Sequence, residues 1–440
     1  MLDINNKSIL ISPIISRLQK DIKIDMNKAL SEFWKRVEKM GTPIFDQIKG
    51  DNKYNLMTFL ARENEKVENI VCFSTFLTED IKEGLFDRIE DTNVYYKTYK
   101  VPKEIRDTYI FFKNNPLIPK DPSENLFKYI NLIFKDPFNS KIQKFEVDGF
   151  QLPLHEFESP DAPLQPFYGK RINIDHGSIK EFTSNSKILK NSRKVLVYTP
   201  PKYSKDHSPY HFLLLFDGIL FEELGKVSST LDNLIAADEI PPLIALMLEN
   251  LLSSNVAQRS YELPPNPKFL AYIIEELLPW VRENYNITSD PSHSVIAGVS
   301  YGGVAASFIA FKKPEIFTNV LSMSGAYSWY PGADYWLQRV KDIEDLEHWW
   351  SKEDEEEGEW LIRQFAQTKK LPLKFYIDVG ILEKNDPTQL FISNHHFRNV
   401  LKTKGYPVSY VEFLGGHDFV CWRGSIADGL IYLIGKQKQI

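Results

Sequence analysis

The sequence predicts an α/β fold, a mostly parallel central sheet flanked by helices, preceded by a smaller β-rich, sandwich-like domain. Three observations predict it. After residue 169, near-continuous apolar runs alternate with helical stretches, the pattern of strands buried on both faces. Before residue 156 the apolar runs are short, alternate in polarity and are joined by polar connectors. Between them "FESPDAPLQPFY", residues 157–168, carries three prolines and no periodicity, as a linker does. The expected organisation is therefore a β-rich domain over 1–156, a linker over 157–168 and an α/β domain over 169–440.

In chain order, "MNKALSEFWKRVEKM" has helical spacing and stops at Gly41. "YNLMTFLA", "VENIVCFSTFL", "NVYYKTYKV" and "DTYIFFK" follow as short antiparallel strands. Past the linker, "RKVLVYTPP", "YHFLLLFDG" and "IPPLIALMLEN" are apolar strands, and "NPKFLAYIIEELLPWVRENYN" is a helix. Then come strand "HSVIAGVS", helix "GGVAASFIAFKKP", strand "FTNVLSMSG", strand "LKFYIDVG", helix "SNHHFRNVLKTKG" and last strand "VSYVEFLGGHD". The acidic run "SKEDEEEGEW" at 351–360 reads as a solvated surface insertion.

Composition removes several functions. The chain has 440 residues, 43% hydrophobic, which suits packed cores and not disorder. A net charge of −6 offers no general attraction to nucleic acid or to an anionic membrane. "MLDINNKSILISPIISRLQK" lacks a basic stretch ahead of its apolar patch, and "IPPLIALMLENLL" is too short to span a bilayer. Two distant cysteines, Cys72 and Cys421, suggest neither a disulfide framework nor a zinc cluster. A cytoplasmic protein without a metal site is expected.

The chemistry centres on "IAGVSYGGVAASF", residues 296–308. Gly298-Val299-Ser300-Tyr301-Gly302 is a G-x-S-x-G turn joining a strand to a helix. Such a turn is sharp, so small residues must flank the serine, whose Oγ then projects at the carboxyl edge of the sheet. A hydroxyl needs a base. Of nine histidines, His395 and His396 fall within a helix, and His207 and His211 flank a strand start. His417 instead follows the last core strand after two glycines. An orienting carboxylate is expected after the preceding strand, where Asp378, Glu383 and Asp386 stand. Glu383, three residues past Gly380, is preferred; Asp386 and Asp378 are the alternatives. Ser300, Glu383, His417 is the chain order of an α/β-hydrolase. Oxyanion donors are expected from the Tyr301 N–H and from the loop holding Gly218 and Ile219, where glycine permits close backbone approach. Asp217 lies too early in the order to be the triad acid and reads as a turn-capping residue.

"GGHDFVCWRG" at 415–424, "RSYELPPNPKF" at 259–269 and "LSMSGAYSW" at 321–329 closely resemble segments of the enterochelin esterase family. So do "FWKRVEKMGTPIF", "MTFLAR", "DTNVYYKTYKVPKEIRDTYIFF" and "KDPFN", in order and spacing, so the resemblance runs from about residue 30 onward. The family usually has a cysteine near Pro265. The resemblance implies Ser300 as nucleophile, His417 as base and Glu383 at the acidic position. It implies Arg259 as a contact for the anionic catecholates of a ferric siderophore, although Arg259 could equally pair with Glu262 and hold its loop. Arg423 is a second candidate contact, and Trp422 reads as packing. The implied reaction is ester hydrolysis of a cyclic triserine or trithreonine catecholate lactone in the cytoplasm, with iron(III) as part of the small-molecule substrate and no cofactor. A general carboxylesterase, or a non-catalytic siderophore-binding relative, would share the fold.

Overall fold

The computed structural model describes residues 10–77, 81–117, 129–147, 150–250, 256–341, 343, 349–385 and 388–436. The chain divides into two compact units: Met1–Leu164 together with Leu414–Val420, and Gln165–Phe413 together with Cys421–Ile440. The sequence does not anticipate that a short segment near the chain end groups with the first unit.

The first unit opens with helices Pro13–Asp21 and Met26–Met40. Asp25 caps the second by accepting the Lys28 N–H at 3.0 Å, and Gly41 ends it at φ 76°. Among the described residues nine strands follow: β1 (Ile44–Gln47), β2 (Tyr54–Arg62), β3 (Ile70–Phe73), β4 (Asp87–Arg88), β5 (Val94–Pro102), β6 (Arg106–Lys113), β7 (Ile133–Phe134), β8 (Ile142–Val147) and β9 (Phe150–Glu158). They form two antiparallel sheets, β1-β2-β5-β4 and β3-β6-β9-β8, with β7 added to β6. The two-residue period of β2 explains how the layers stack. Phe59 faces Tyr109, Phe111 and Phe157 of the other sheet, at ring separations of 4.7, 6.1 and 5.9 Å. Its neighbour Leu60 points the other way, into the cluster that holds Trp34 and Val37 of the second helix.

Among its described residues the second unit has eight strands: β10 (Ser178–Ser186), β11 (Asn191–Thr199), β12 (His211–Leu215), β13 (Leu243–Leu248), β14 (Ser294–Val299), β15 (Asn319–Met323), β16 (Lys374–Gly380) and β17 (Val408–Phe413). Their order is β10-β11-β13-β12-β14-β15-β16-β17. From β13 through β17 every pairing is parallel; only β10–β11 and β11–β13 are antiparallel. β12, β13, β14 and β15 are almost wholly buried, as their largely apolar runs predict. β10 is different: mostly exposed, polar, and paired along one edge only. Because the strands after β13 run the same way, their carboxyl ends lie at one edge of the sheet, where loops can collect reacting groups.

The acidic run is more than a solvated loop. The Trp360 indole donates to Asp354 at 2.7 Å and the Trp350 indole to Glu355 at 2.7 Å, so these surface carboxylates anchor two tryptophans. Among the described residues, no helix is long and apolar enough to cross a membrane.

Candidate active site

Ser300 sits between β14 and the helix Tyr301–Lys312, with φ 55° and ψ −122°, a conformation that costs a non-glycine residue about 1–3 kcal/mol. Backbone bonds to the next loop hold it there. The Ser300 N–H donates to the Met323 carbonyl at 3.0 Å, and the Ala326 N–H donates to the Ser300 carbonyl at 3.0 Å. The glycines are a steric requirement. A Cβ on Gly298 would come within 2.5 Å of the Gly302 carbonyl carbon, and one on Gly303 within 2.5 Å of the Ser322 Oγ. Strand and helix approach too closely for side chains, and Ser300 is left half-buried at the carboxyl end of β14.

A second turn of this kind follows β12. Asp217 has φ 52° and leads into the short helix Gly218–Glu223. A Cβ on Gly218 would stand 2.5 Å from the Met247 Cα, so only glycine fits. Asp217 does not cap the turn, contrary to the sequence expectation; its side chain makes no capping bond to that helix. Instead Arg259 clamps it with two bonds, Nε to Oδ1 at 2.8 Å and Nη2 to Oδ2 at 2.6 Å. Arg259 therefore pairs with Asp217 and not with Glu262. The Glu262 Oε1 accepts from Arg193 at 2.7 Å, in a pair with no solvent exposure on either side chain. A local guess, three residues along a helix, loses here to a tertiary pairing. The two turns are neighbours: the Arg259 guanidinium lies 5.9 Å from the Tyr301 ring centroid, and a Cβ on Gly302 would be 3.3 Å from the Asp217 Oδ2. Gly218, Ile219 and Tyr301 each lie in the first turn of a helix, where backbone N–H groups have no intrahelical acceptor.

Two of the three candidate acids stand in contrasting settings. Asp378, inside β16, is fully buried, and desolvation pushes its carboxyl up to about 8, with the nearby Glu383 charge adding to the shift and the Ser425 hydroxyl opposing it. A carboxyl that keeps its proton near neutral pH cannot stabilise an imidazolium. Glu383 lies past the carboxyl end of β16, in the turn Ile381–Asn385. Its Oε1 accepts from the Ser324 hydroxyl at 2.6 Å and from the Gly380 N–H at 2.8 Å. Ser324 stands between Met323 and Ala326, the residues bonded to the Ser300 backbone, so one loop links the Ser300 turn and Glu383. Asp386 lies outside the described residues.

β17 leads at its carboxyl end into Leu414–Val420, the segment carrying His417. Within the first unit this segment is pinned on both sides of the histidine. A Cβ on Gly416 would collide with the Thr75 hydroxyl and lie 3.1 Å from Asp107 Oδ2. The Thr108 hydroxyl donates to Asp418 Oδ2 at 2.6 Å, while Asp418 Oδ1 accepts the Val420 N–H at 2.7 Å. Burial, and then the Asp418 charge, drive the buried Asp107 carboxyl well above the usual range.

The remaining candidates occupy structural settings. The Arg423 Nε donates to Gln165 Oε1 at 2.8 Å, and its guanidinium carbon sits 3.9 Å from the Tyr168 ring centroid. Trp422 packs as expected, but its indole also donates to the Ser324 Oγ at 3.1 Å. His395 pairs with Glu412 at 2.8 Å and His396 with Glu359 at 2.5 Å. His211 stacks on His293 at 4.2 Å, at the amino-terminal ends of β12 and β14 and so at the opposite sheet edge from Ser300. Among the described residues, no group of three His, Cys, Asp or Glu could hold a metal ion.

With this geometry in place, residues 186–433 match the family model described as putative esterase, more than half of the chain. The chain belongs to the putative esterase family. It is a carboxylic-ester hydrolase with the α/β-hydrolase fold and a β-rich N-terminal region. Among similar proteins, the iron(III) enterobactin esterase of Dickeya dadantii is 24% identical over 429 residues, covering 91% of this esterase and 92% of that protein. The iron(III) salmochelin esterase of Escherichia coli is 25% identical over 419 residues, covering 92% and 94%. In fold, this esterase resembles the ferric enterobactin esterase of Salmonella typhimurium with a TM-score of 0.73 and 24% identity, over 91% of this chain and 98% of that one.

Proposed function

We propose that this esterase hydrolyses the ester bonds of catecholate trilactone siderophores of the enterobactin type, with Ser300 as nucleophile, His417 as general base and Glu383 as the orienting acid. The observation that carries the reading is the strained, glycine-walled turn presenting Ser300 beside a second helix start at Gly218. Relatives named for iron(III) enterobactin and salmochelin hydrolysis, similar over nine-tenths of the chain, support the substrate class.

His417 takes the Ser300 proton as Oγ attacks an ester carbonyl. The charge developing on the carbonyl oxygen is met by the Tyr301 N–H and by the Gly218 or Ile219 N–H. The carbon–oxygen ester bond then breaks, and His417 returns the proton to the leaving hydroxyl. Water, deprotonated by His417, attacks the acyl-enzyme and releases the acid and free Ser300. Opening the lactone removes the preorganisation that holds three catechols on iron(III), which belongs to the substrate; no resident cofactor is proposed. Arg259 commits Nε and Nη2 to Asp217, and its Nη1 is the proposed contact for an anionic catecholate. Arg423, held by Gln165 and Tyr168, is the weaker contact of the two. A cytoplasmic setting is proposed, in keeping with a chain that carries two cysteines far apart in sequence.

Ser300→Ala tests the reading. Hydrolysis of a ferric catecholate trilactone, followed by mass spectrometry of the products, is expected to fall by about 10³-fold or more at an unchanged Tm. A parental rate would remove Ser300 as nucleophile. Turnover of p-nitrophenyl butyrate but of no trilactone would instead support a general carboxylesterase, and tight binding without turnover of either a non-catalytic relative.

A further inference from the structure

We infer that Ser324 is a positioning residue for the triad acid: its hydroxyl ties the Trp422 indole to Glu383 and fixes the carboxylate that orients His417. The inference rests on the reading of Glu383 as that acid. The direction of the bonds follows from chemistry. An indole N–H can only donate, so the Ser324 Oγ accepts from Trp422 Nε1 at 3.1 Å. Its single proton then goes to Glu383 Oε1 at 2.6 Å, the same oxygen that receives the Gly380 N–H. Ser324, Trp422 and Glu383 are all buried, so bulk water cannot substitute for a lost partner.

The backbone points the same way. Ser324 has φ 46°, in the left-handed region where glycine would sit without strain. Its N–H donates to the Asp378 carbonyl at 2.8 Å, an interaction any residue but proline could make. What serine adds over glycine at this position is the hydroxyl, and the hydroxyl is directed at Glu383. The same loop holds the Ser300 backbone through Met323 and Ala326, so it supports nucleophile and acid together.

The test uses four variants of the full chain: Ser324→Ala, Ser324→Gly, Trp422→Phe and Glu383→Gln. Each is assayed for kcat and KM on a ferric catecholate trilactone and melted in parallel. Ser324→Ala and Ser324→Gly are expected to lose about tenfold in kcat at unchanged KM, the worth of one hydrogen bond to a charged acceptor. Trp422→Phe is expected to lose less. Ser324→Gly should melt above Ser324→Ala, because glycine relieves the left-handed backbone. Activity would then follow the hydroxyl and not stability. Parental kcat in both Ser324 variants, with Glu383→Gln inactive, would overturn the inference. So would recovery of kcat in the glycine variant along with its Tm. A parental rate for Glu383→Gln would overturn the assignment of the acid itself, and the inference with it.

Discussion

Asp378 and Glu383 stand five positions apart, both almost sealed from solvent, and the protein treats them in opposite ways. Glu383 receives a hydroxyl and a backbone N–H on one oxygen. Asp378 sits inside β16, where burial pushes its carboxyl up to about 8. Two further buried acids extend the contrast, since Asp217 and Glu262 each meet an arginine. A buried carboxylate is thus made useful by the donors around it and not by burial as such. Glu383 is supplied with two hydrogen-bond donors, and Asp378 is equipped to keep a proton.

The largest effect that would break this comparison is catalytic. Glu383→Gln keeps the shape but removes the charge, and it is expected to lower kcat by about 10³–10⁴-fold with little change in Tm, as loss of the orienting acid does in serine hydrolases. Steady-state hydrolysis of a trilactone at saturating substrate measures it. A loss of that size in Asp386→Asn, with Glu383→Gln active, would move the acid to a residue outside the described part of the turn.

Next in size is the cost of stranding an acid. Arg193→Met leaves Glu262 with the Asn191 and Gln258 amides but no cation, in a place without solvent. It is expected to cost about 3–5 kcal/mol of stability by urea denaturation. Arg259→Met strands Asp217, where the arginine side chain is 17% exposed and the pair is correspondingly cheaper to break. A smaller stability loss is therefore expected, accompanied by a fall in kcat because the Asp217-Gly218-Ile219 turn loses its clamp. If the Arg259 variant were the less stable of the two, exposure would not be what grades these pairs.

These pairings also mark where the sequence stops being legible. The Ser300 turn is readable because its constraint is local: strand, helix and glycines lie within a dozen residues. That Glu383 follows the carboxyl end of a strand at the same sheet edge as Ser300 is readable because parallel strands deliver successive loops to one edge. Arg259 with Asp217 is not readable, since 42 residues separate partners that meet only after β12 and a distant helix are folded. β10 escapes notice because an edge strand with mainly exposed, polar residues has no apolar run to reveal it. The grouping of Leu414–Val420 with the first unit rests on Thr75, Asp107 and Thr108, more than 300 residues upstream, and no pattern near His417 signals it.

The smallest expected effect sharpens the comparison most directly. Asp378→Asn replaces a carboxyl that is already protonated near neutral pH, so kcat at pH 7 is expected to stay within about twofold of the parent. Stability should report the difference. In the unfolded chain Asp378 titrates near its ordinary value of 3.8; in the folded chain it titrates near 8. Below pH 4 both states hold the proton and the group has no influence. Between about 4 and 8 the unfolded chain gains from ionising while the folded chain does not. Its contribution therefore falls as pH rises, by at most about 1.4 kcal/mol per pH unit, and levels off above 8. The Asn variant lacks this decline, so its stability relative to the parent should grow from pH 5 to pH 8 in paired urea melts. A difference that stays constant across that window would mean Asp378 is ionised in the fold, and that the two carboxylates are not opposites after all.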